Sequence, residues 1–199
     1  MKAVWVDTGN DPQWEKLARH GITRLYFPMS DPTGDVQRRL ADTKARGLVG
    51  GLYSAWNWYD GFNGPEYAKA THDRVKQIAP KATSTWPKIQ LDDETHDPDR
   101  IIQMLSTWRT LRPTTDTSWT LESMQGGWFA PALVAAIVKL KIRVVPQCYI
   151  GNMWPVCTLT AARDLTKRGV PDPLITPFYD AAALPVGWDG FAFTQGRLP

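Results

Sequence analysis

Lys88-Ile89-Gln90-Leu91-Asp92-Asp93-Glu94-Thr95-His96-Asp97, followed at once by Pro98, joins an apolar strand-like run to a helix start through an acidic turn. Side chains on a strand alternate between its faces. Ile89 and Leu91 therefore share one face, and Gln90, Asp92 and Glu94 share the other. Asp97-Pro98 is a helix entry, with a capping carboxylate before proline at the first helical position. The stretch is thus a strand–turn–helix unit whose turn aims two carboxylates at one space. Like charges held close together repel, and one of them must take up a proton. Acid/base sites use that penalty.

The same unit recurs outward in both directions. Apolar runs fall at Ala3–Val6, Arg24–Pro28, Val49–Ala55, Lys88–Asp92, Trp119–Glu122, Arg143–Tyr149, Leu174–Phe178 and Gly190–Thr194. Helical periodicity follows most of them, over Pro12–His20, Thr33–Arg46, Pro65–Ile78, Pro98–Leu111, Ala130–Leu140 and Leu159–Arg168. Starts are marked by Asp11-Pro12, Gly64-Pro65 and Asp97-Pro98, and ends by Gly21, Gly47 and Gly169. Strict alternation implies a parallel sheet. Eight units imply a small (β/α)8 TIM-like barrel, residues 1–199 forming a single domain. At 199 residues, helices around the seventh and eighth strands must be short or missing. An open doubly wound sheet is the competing architecture. It calls for a Gly-rich phosphate turn after an early strand, and Asp7-Thr8-Gly9-Asn10 is not one.

Composition sets the remaining bounds. Apolar content of 43% and charged content of 22% describe a globular chain. The net charge is only +3. Its basic residues are scattered, densest at Arg38-Arg39 and at Lys139, Lys141 and Arg143, which reads as a solvated face rather than a nucleic-acid footprint. The most apolar segment, Phe129 to Leu140, falls short of the ~20 residues of a membrane span and reads as a core helix. Met1-Lys2 leads through a short apolar stretch to Asp7, without the apolar core and cleavage site of a secretory leader. The expected location is the cytoplasm of the producing cell, with release by lysis or carriage on a virion. Cys148 and Cys157 lack a CxxC partner and read as buried thiols, although one disulfide between them is open.

In a barrel, chemistry gathers at the C-terminal ends of the strands. The polar residues there are Asp7, Ser54, Asp92, Glu94, Glu122, Gln147, Asp180 and Gln195. Parity turns Asp7 inward with Trp5 while Val4 and Val6 face the helices. The same reasoning sets Glu122 opposite Leu121, and Gln147 and Tyr149 opposite Val144. Several of the ten tryptophans fall in polar or Gly-rich stretches, including Trp56, Trp58, Trp128 and Trp154. Indoles in loops suit the flat apolar faces of sugar rings.

These residues resemble those of the family-twenty-five glycoside hydrolases, the lysozyme-type muramidases common in bacteria and phages. The similar features are Asp7 ending Val4-Trp5-Val6-Asp7, the third strand Gly50-Gly51-Leu52-Tyr53, and Leu91-Asp92-Asp93-Glu94 ending the fourth. Gln147 and Tyr149 resemble that family's Gln-Tyr region, and Phe193-Thr194-Gln195 its closing aromatic-glutamine element. Tyr53-Ser54 stands where the family has an aromatic-His pair, and Phe27-Pro28-Met29 replaces its Lys and Glu around strand 2. The resemblance implies a small barrel acting on cell-wall glycan. Glu94 would be the general acid, its pKa raised by burial and by Asp92. Asp92 would be the ionised partner that steadies positive charge or orients a substrate N-acetyl group. Asp7 and Asp180 would tune charge. Tyr53, Trp56, Trp58, Glu122, Trp128, Gln147, Tyr149, Trp154 and Gln195 would line the sugar groove. Positions i and i+2 on a strand lie roughly 6.5–7 Å apart, which suits a carboxylate pair around a glycosidic bond.

A structural reading stands beside this one. Asp93 and Asp97 would cap the next helix, while Arg or Lys would neutralise Asp92 and Glu94. The corresponding function is a silent barrel that binds glycan or other virion proteins. A metal held by Asp92, Glu94, His96 and Asp97 is a further option by ligand type, but His96 beside a helix cap reads as exposed. No metal or cofactor is expected. Ser54 and Ser123 sit in no GxSxG elbow, which argues against a serine hydrolase.

Overall fold

The computed structural model describes residues 1–54, 61–83, 86–93, 95–114, 116–121, 129–146, 159–179, 184, 186–194 and 198, without the side chains of 159–160 and 193–194. Strands β1 (Lys2–Trp5), β2 (Arg24–Pro28), β3 (Val49–Ser54), β4 (Lys88–Leu91), β5 (Thr117–Leu121), β6 (Arg143–Pro146), β7 (Phe178–Tyr179) and β8 (Gly190–Thr194) are all parallel. Helices α1 (Trp14–Arg19), α2 (Thr33–Ala45), α3 (Gly64–Ile78), α4 (Pro98–Leu111), α5 (Pro131–Leu140) and α6 (Leu159–Lys167) alternate with them. The sheet runs β6-β5-β4-β3-β2-β1-β8-β7. A parallel bridge from Val144 to Ile175, just ahead of β7, links its two edges into a nearly closed barrel.

The seventh strand departs from the sequence expectation. Leu174 ends a 3-10 turn (Asp172–Leu174), and only Phe178 and Tyr179 pair with β8. Leu174 is taken up by the turn that Pro173 helps to start, and Pro177 lacks a backbone N–H, which interrupts a continuous ladder through Leu174–Phe178. Among the described residues, no helix separates β7 from β8.

Alternation divides the core in two. Val4, Val6, Leu25, Phe27, Leu52, Ile89, Leu91, Trp119, Leu121 and Val144 face outward. They pack on helix residues such as Leu17, Val36, Leu40, Tyr67, Val75, Met104, Trp108 and Ile137. Each such side chain contributes ~1.5–3 kcal/mol by leaving water. Ala3, Trp5, Tyr26, Val145, Phe178 and Phe191 fill the barrel, with Tyr53 against them. The rings interlock, with Trp5 4.9 Å from Phe191 and Tyr26 5.3 Å from it. Helix α5, the most apolar, buries Leu133, Val134 and Ile137 as a core helix. No described helix is long and apolar enough to cross a membrane.

Helix ends follow local chemistry. Asp97 caps α4 by accepting from the Asp99 and Arg100 amides. Asn63 and Glu66 form a capping box at α3. Asp11 does not cap α1, whose N-cap is Gln13; it pairs instead with the exposed Arg38 at 2.8 Å. Gly64 opens α3 where that helix crosses α4. A Cβ there would lie 2.2 Å from the Arg100 carbonyl oxygen and 2.8 Å from the Met104 nitrogen. Both are backbone atoms that cannot rotate away. Gly64→Ala is therefore expected to destabilise the barrel by about 1–3 kcal/mol through overpacking, read as a lower urea midpoint.

The opposite end of the barrel carries an ion cluster. Asp116 meets Lys88 at 3.0 Å and Arg143 at 3.4 Å. Burial pushes the Asp116 carboxyl up, but the Lys88 hydrogen bond and the Arg143, Lys88 and Arg24 charges outweigh it and hold the group below 3.8. A depressed folded pKa gives stability that is present above the unfolded pKa and lost as pH falls through the folded one. Wild type is expected to exceed Asp116→Asn by about 1 kcal/mol at neutral pH. Denaturation at stepped pH should show that gap closing below about pH 4.

Candidate functional site

β4 sets the site's frame. Gln90 is fully buried inside the barrel. It accepts from Trp5 Nε1 at 2.6 Å, and its own amide donates to Thr120 Oγ1 at 2.8 Å. This chain of hydrogen bonds gives each of the three side chains a partner and ties β1, β4 and β5 together across the barrel. Asp92 lies two residues beyond Gln90, on the same face by alternation, at the C-terminal mouth. It is 8% exposed, and its amide donates to Ser54 Oγ at 3.2 Å.

β1 and β3 bring two more groups to that mouth. Trp5 pairs with Tyr26, Pro28 with Tyr53, and Tyr53 with Gln90. Continuing the β1–β2 ladder by two residues puts Asp7 level with Pro28 and Tyr53. The Tyr53 hydroxyl donates to the Val6 carbonyl at 3.3 Å. Burial pushes the phenol strongly up. A hydrogen bond with Thr8 opposes that rise, and the negative charges of Asp92, Asp7 and Asp31 add to it. Asp7, Tyr53 and Asp92 thus share one electrostatic environment although they come from three strands. The phenol stays neutral beside these carboxylates, and its one proton is committed to the Val6 carbonyl, so a ligand would meet its ring and an accepting oxygen.

The acidic turn has a built support. Asp93 points away from the mouth and is 1% exposed. Arg100 Nε of α4 donates to its Oδ2 at 3.2 Å, the Thr95 amide donates to its Oδ1, and Trp119 Nε1 donates to its carbonyl at 3.0 Å. Arg100 also donates through Nη1 to the Phe62 carbonyl. Asp93 therefore anchors the turn to α4, whereas capping of that helix falls to Asp97 alone. His96 is exposed.

Two sequence expectations need correction. Ser54 does not face the mouth. It is fully buried on the helix side, its hydroxyl 2.6 Å from that of Tyr67, as its odd–even relation to Tyr53 requires. Arg39 is no part of a solvated face. It is 2% exposed and meets Asp31, equally buried, at 2.6 Å. It also donates to the Asn10 carbonyl at 2.8 Å, while Asp31 accepts from the Gly9 amide at 3.0 Å. This pair, missed at the sequence level, pins the loop that follows Asp7. Its signal was the position of Arg39 on the buried stripe of α2 with Val36, Leu40 and Thr43. Phe27 and Met29, which stand in place of charged family residues, are fully buried.

Glu94, Asp180, Trp56, Trp58, Glu122, Trp128, Gln147, Tyr149, Trp154 and Gln195 lie outside the described residues, as do Cys148 and Cys157. Among the described residues no cluster has the makings of a metal site.

No protein-family model and no curated protein matches this chain. Solved structures do. It is similar to the catalytic domain of a hyperthermophilic chitinase from Pyrococcus furiosus, with a TM-score of 0.58 and 12% identity over 96% of this chain and 76% of that one. It is also similar to catalytic-site mutants of active domain 2 of chitinase from the same organism, with a TM-score of 0.56 and 12% identity over 83% of this chain. The chain spans 65% of the length of that second domain. At such identity the likeness is one of fold alone.

Proposed function

We propose that the chain is a glycoside hydrolase acting on cell-wall glycan by muramidase-type cleavage. The observation that carries this reading is the convergence of Asp7, Tyr53 and Asp92 from β1, β3 and β4 on the C-terminal mouth. In this mechanism Glu94, two residues past Asp92, protonates the glycosidic oxygen. Asp92 remains ionised and stabilises positive charge at the sugar, directly or through the substrate N-acetyl group. Tyr53 lines the groove beside the reacting sugar, and Asp7 and Asp180 set the local charge. Trp56, Trp58, Trp128, Trp154, Tyr149, Gln147, Glu122 and Gln195 form the groove. The chitinase neighbours support the substrate class, because chitin and wall glycan are both polymers of N-acetylated hexosamines.

A second reading, a silent barrel binding glycan or other virion proteins, draws on the apolar Phe27 and Met29 in place of charged residues. A cell-wall turbidity assay separates the two. Clearing by wild type and not by Glu94→Gln supports the hydrolase. Retained glycan binding without clearing by either protein supports the silent barrel and overturns catalysis.

A further inference from the structure

Far from the mouth, near the C-terminal ends of α2 and α3, lies a cleft of about 300 Å³ lined by Gln37, Leu40, Ala41, Lys44, Ile78, Ala79, Pro80, Lys81 and Trp86. That volume is at the lower end of the range for small-molecule sites. Leu40, Ile78 and Ala79 are buried at its floor, and the Trp86 indole lies near Gly50 of β3. Gln37 is committed elsewhere, its amide donating to the Ile78 carbonyl at 3.0 Å. The lining contains no carboxylate and no hydroxyl, so a sugar ring would find little to hydrogen-bond. Besides the Trp86 indole N–H, the remaining polar side-chain groups are the ammonium heads of Lys44 and Lys81, both exposed and without a carboxylate partner among the described residues. Apolar walls with cations at the rim complement one kind of occupant: an apolar body with an anionic head.

We propose that this cleft binds a medium-chain fatty carboxylate, its alkyl chain against Leu40, Ile78 and Trp86 and its head between Lys44 and Lys81. The site is separate from the mouth, so its test does not depend on glycan cleavage. Decanoate is titrated into the protein while the proton–nitrogen signal of the Trp86 indole is followed. A saturable shift is expected, with decanol binding more weakly and acetate not at all. Lys44→Ala and Lys81→Ala should each weaken decanoate by about fivefold, the scale of an exposed ion pair, and leave decanol unchanged. Ala41→Phe, a surface substitution that fills the cleft, should abolish the shift. No saturable shift below the micellar concentration, an undiminished shift in Ala41→Phe, or a shift produced instead by N-acetylhexosamine oligomers would overturn the assignment.

Discussion

Glu94→Gln is expected to lower turnover of wall glycan by about 10²–10⁴-fold, the usual contribution of a positioned general acid. The amide keeps the volume and hydrogen-bonding reach of the acid but carries no transferable proton. The turn itself is held by Asp93, whose carboxylate is fixed by Arg100 and whose carbonyl is fixed by Trp119. Folding should therefore be unchanged, and the thermal midpoint is the control. Asp92→Asn should cost a comparable factor, because an amide cannot steady the charge that develops at the sugar. Reducing-end release at saturating and limiting glycan separates effects on kcat from effects on KM. Both losses should appear in kcat, since each group acts on the transition state rather than on ground-state binding.

The second large effect concerns stability. Arg39 and Asp31 are both 2% exposed and 2.6 Å apart. Breaking a buried ion pair leaves one charge desolvated and unpaired. Arg39→Leu is expected to cost about 3–5 kcal/mol, roughly 6–20 °C in Tm for a chain of this size. Arg39→Leu with Asp31→Leu should recover part of that loss, because no lone charge remains. Equal or greater loss in the double variant would show that the contacts to Asn10 and Gly9 dominate over the charge. Those contacts hold the loop after Asp7, so surviving Arg39→Leu protein should also cleave glycan more slowly.

Most of the fold was legible from the chain because its signals are local. The alternating runs from β1 to β6 and the periodic stretches of α2 to α5 each follow from burial of one face. Asp97 and Pro98 marked a helix start that the backbone adopts. Legibility failed where structure depends on a distant partner. Ile175 meets Val144 only once the barrel closes, so the apolar run Leu174–Phe178, with Pro177 inside it, passed for a longer strand. Arg39 read as surface because its partner Asp31 lies in the preceding loop rather than on its own helix. Ser54 could have been assigned correctly, since Tyr53 facing inward forces its neighbour outward. Within the site, parity placed Asp7 and Asp92 at the mouth. The Trp5–Gln90–Thr120 chain of hydrogen bonds was not foreseeable, because it spans three strands whose register only the closed sheet defines.

The pH dependence of kcat/KM on purified wall glycan, for wild type and Glu94→Gln, bears most directly on shared acid–base work at the mouth. Wild type should give a bell, its acid limb from the group that must be ionised and its alkaline limb from the group that must keep its proton. Glu94→Gln should retain a trace of activity without the alkaline limb. Identical profiles in the two proteins, or no reducing ends released by wild type at any pH, would contradict the assignment.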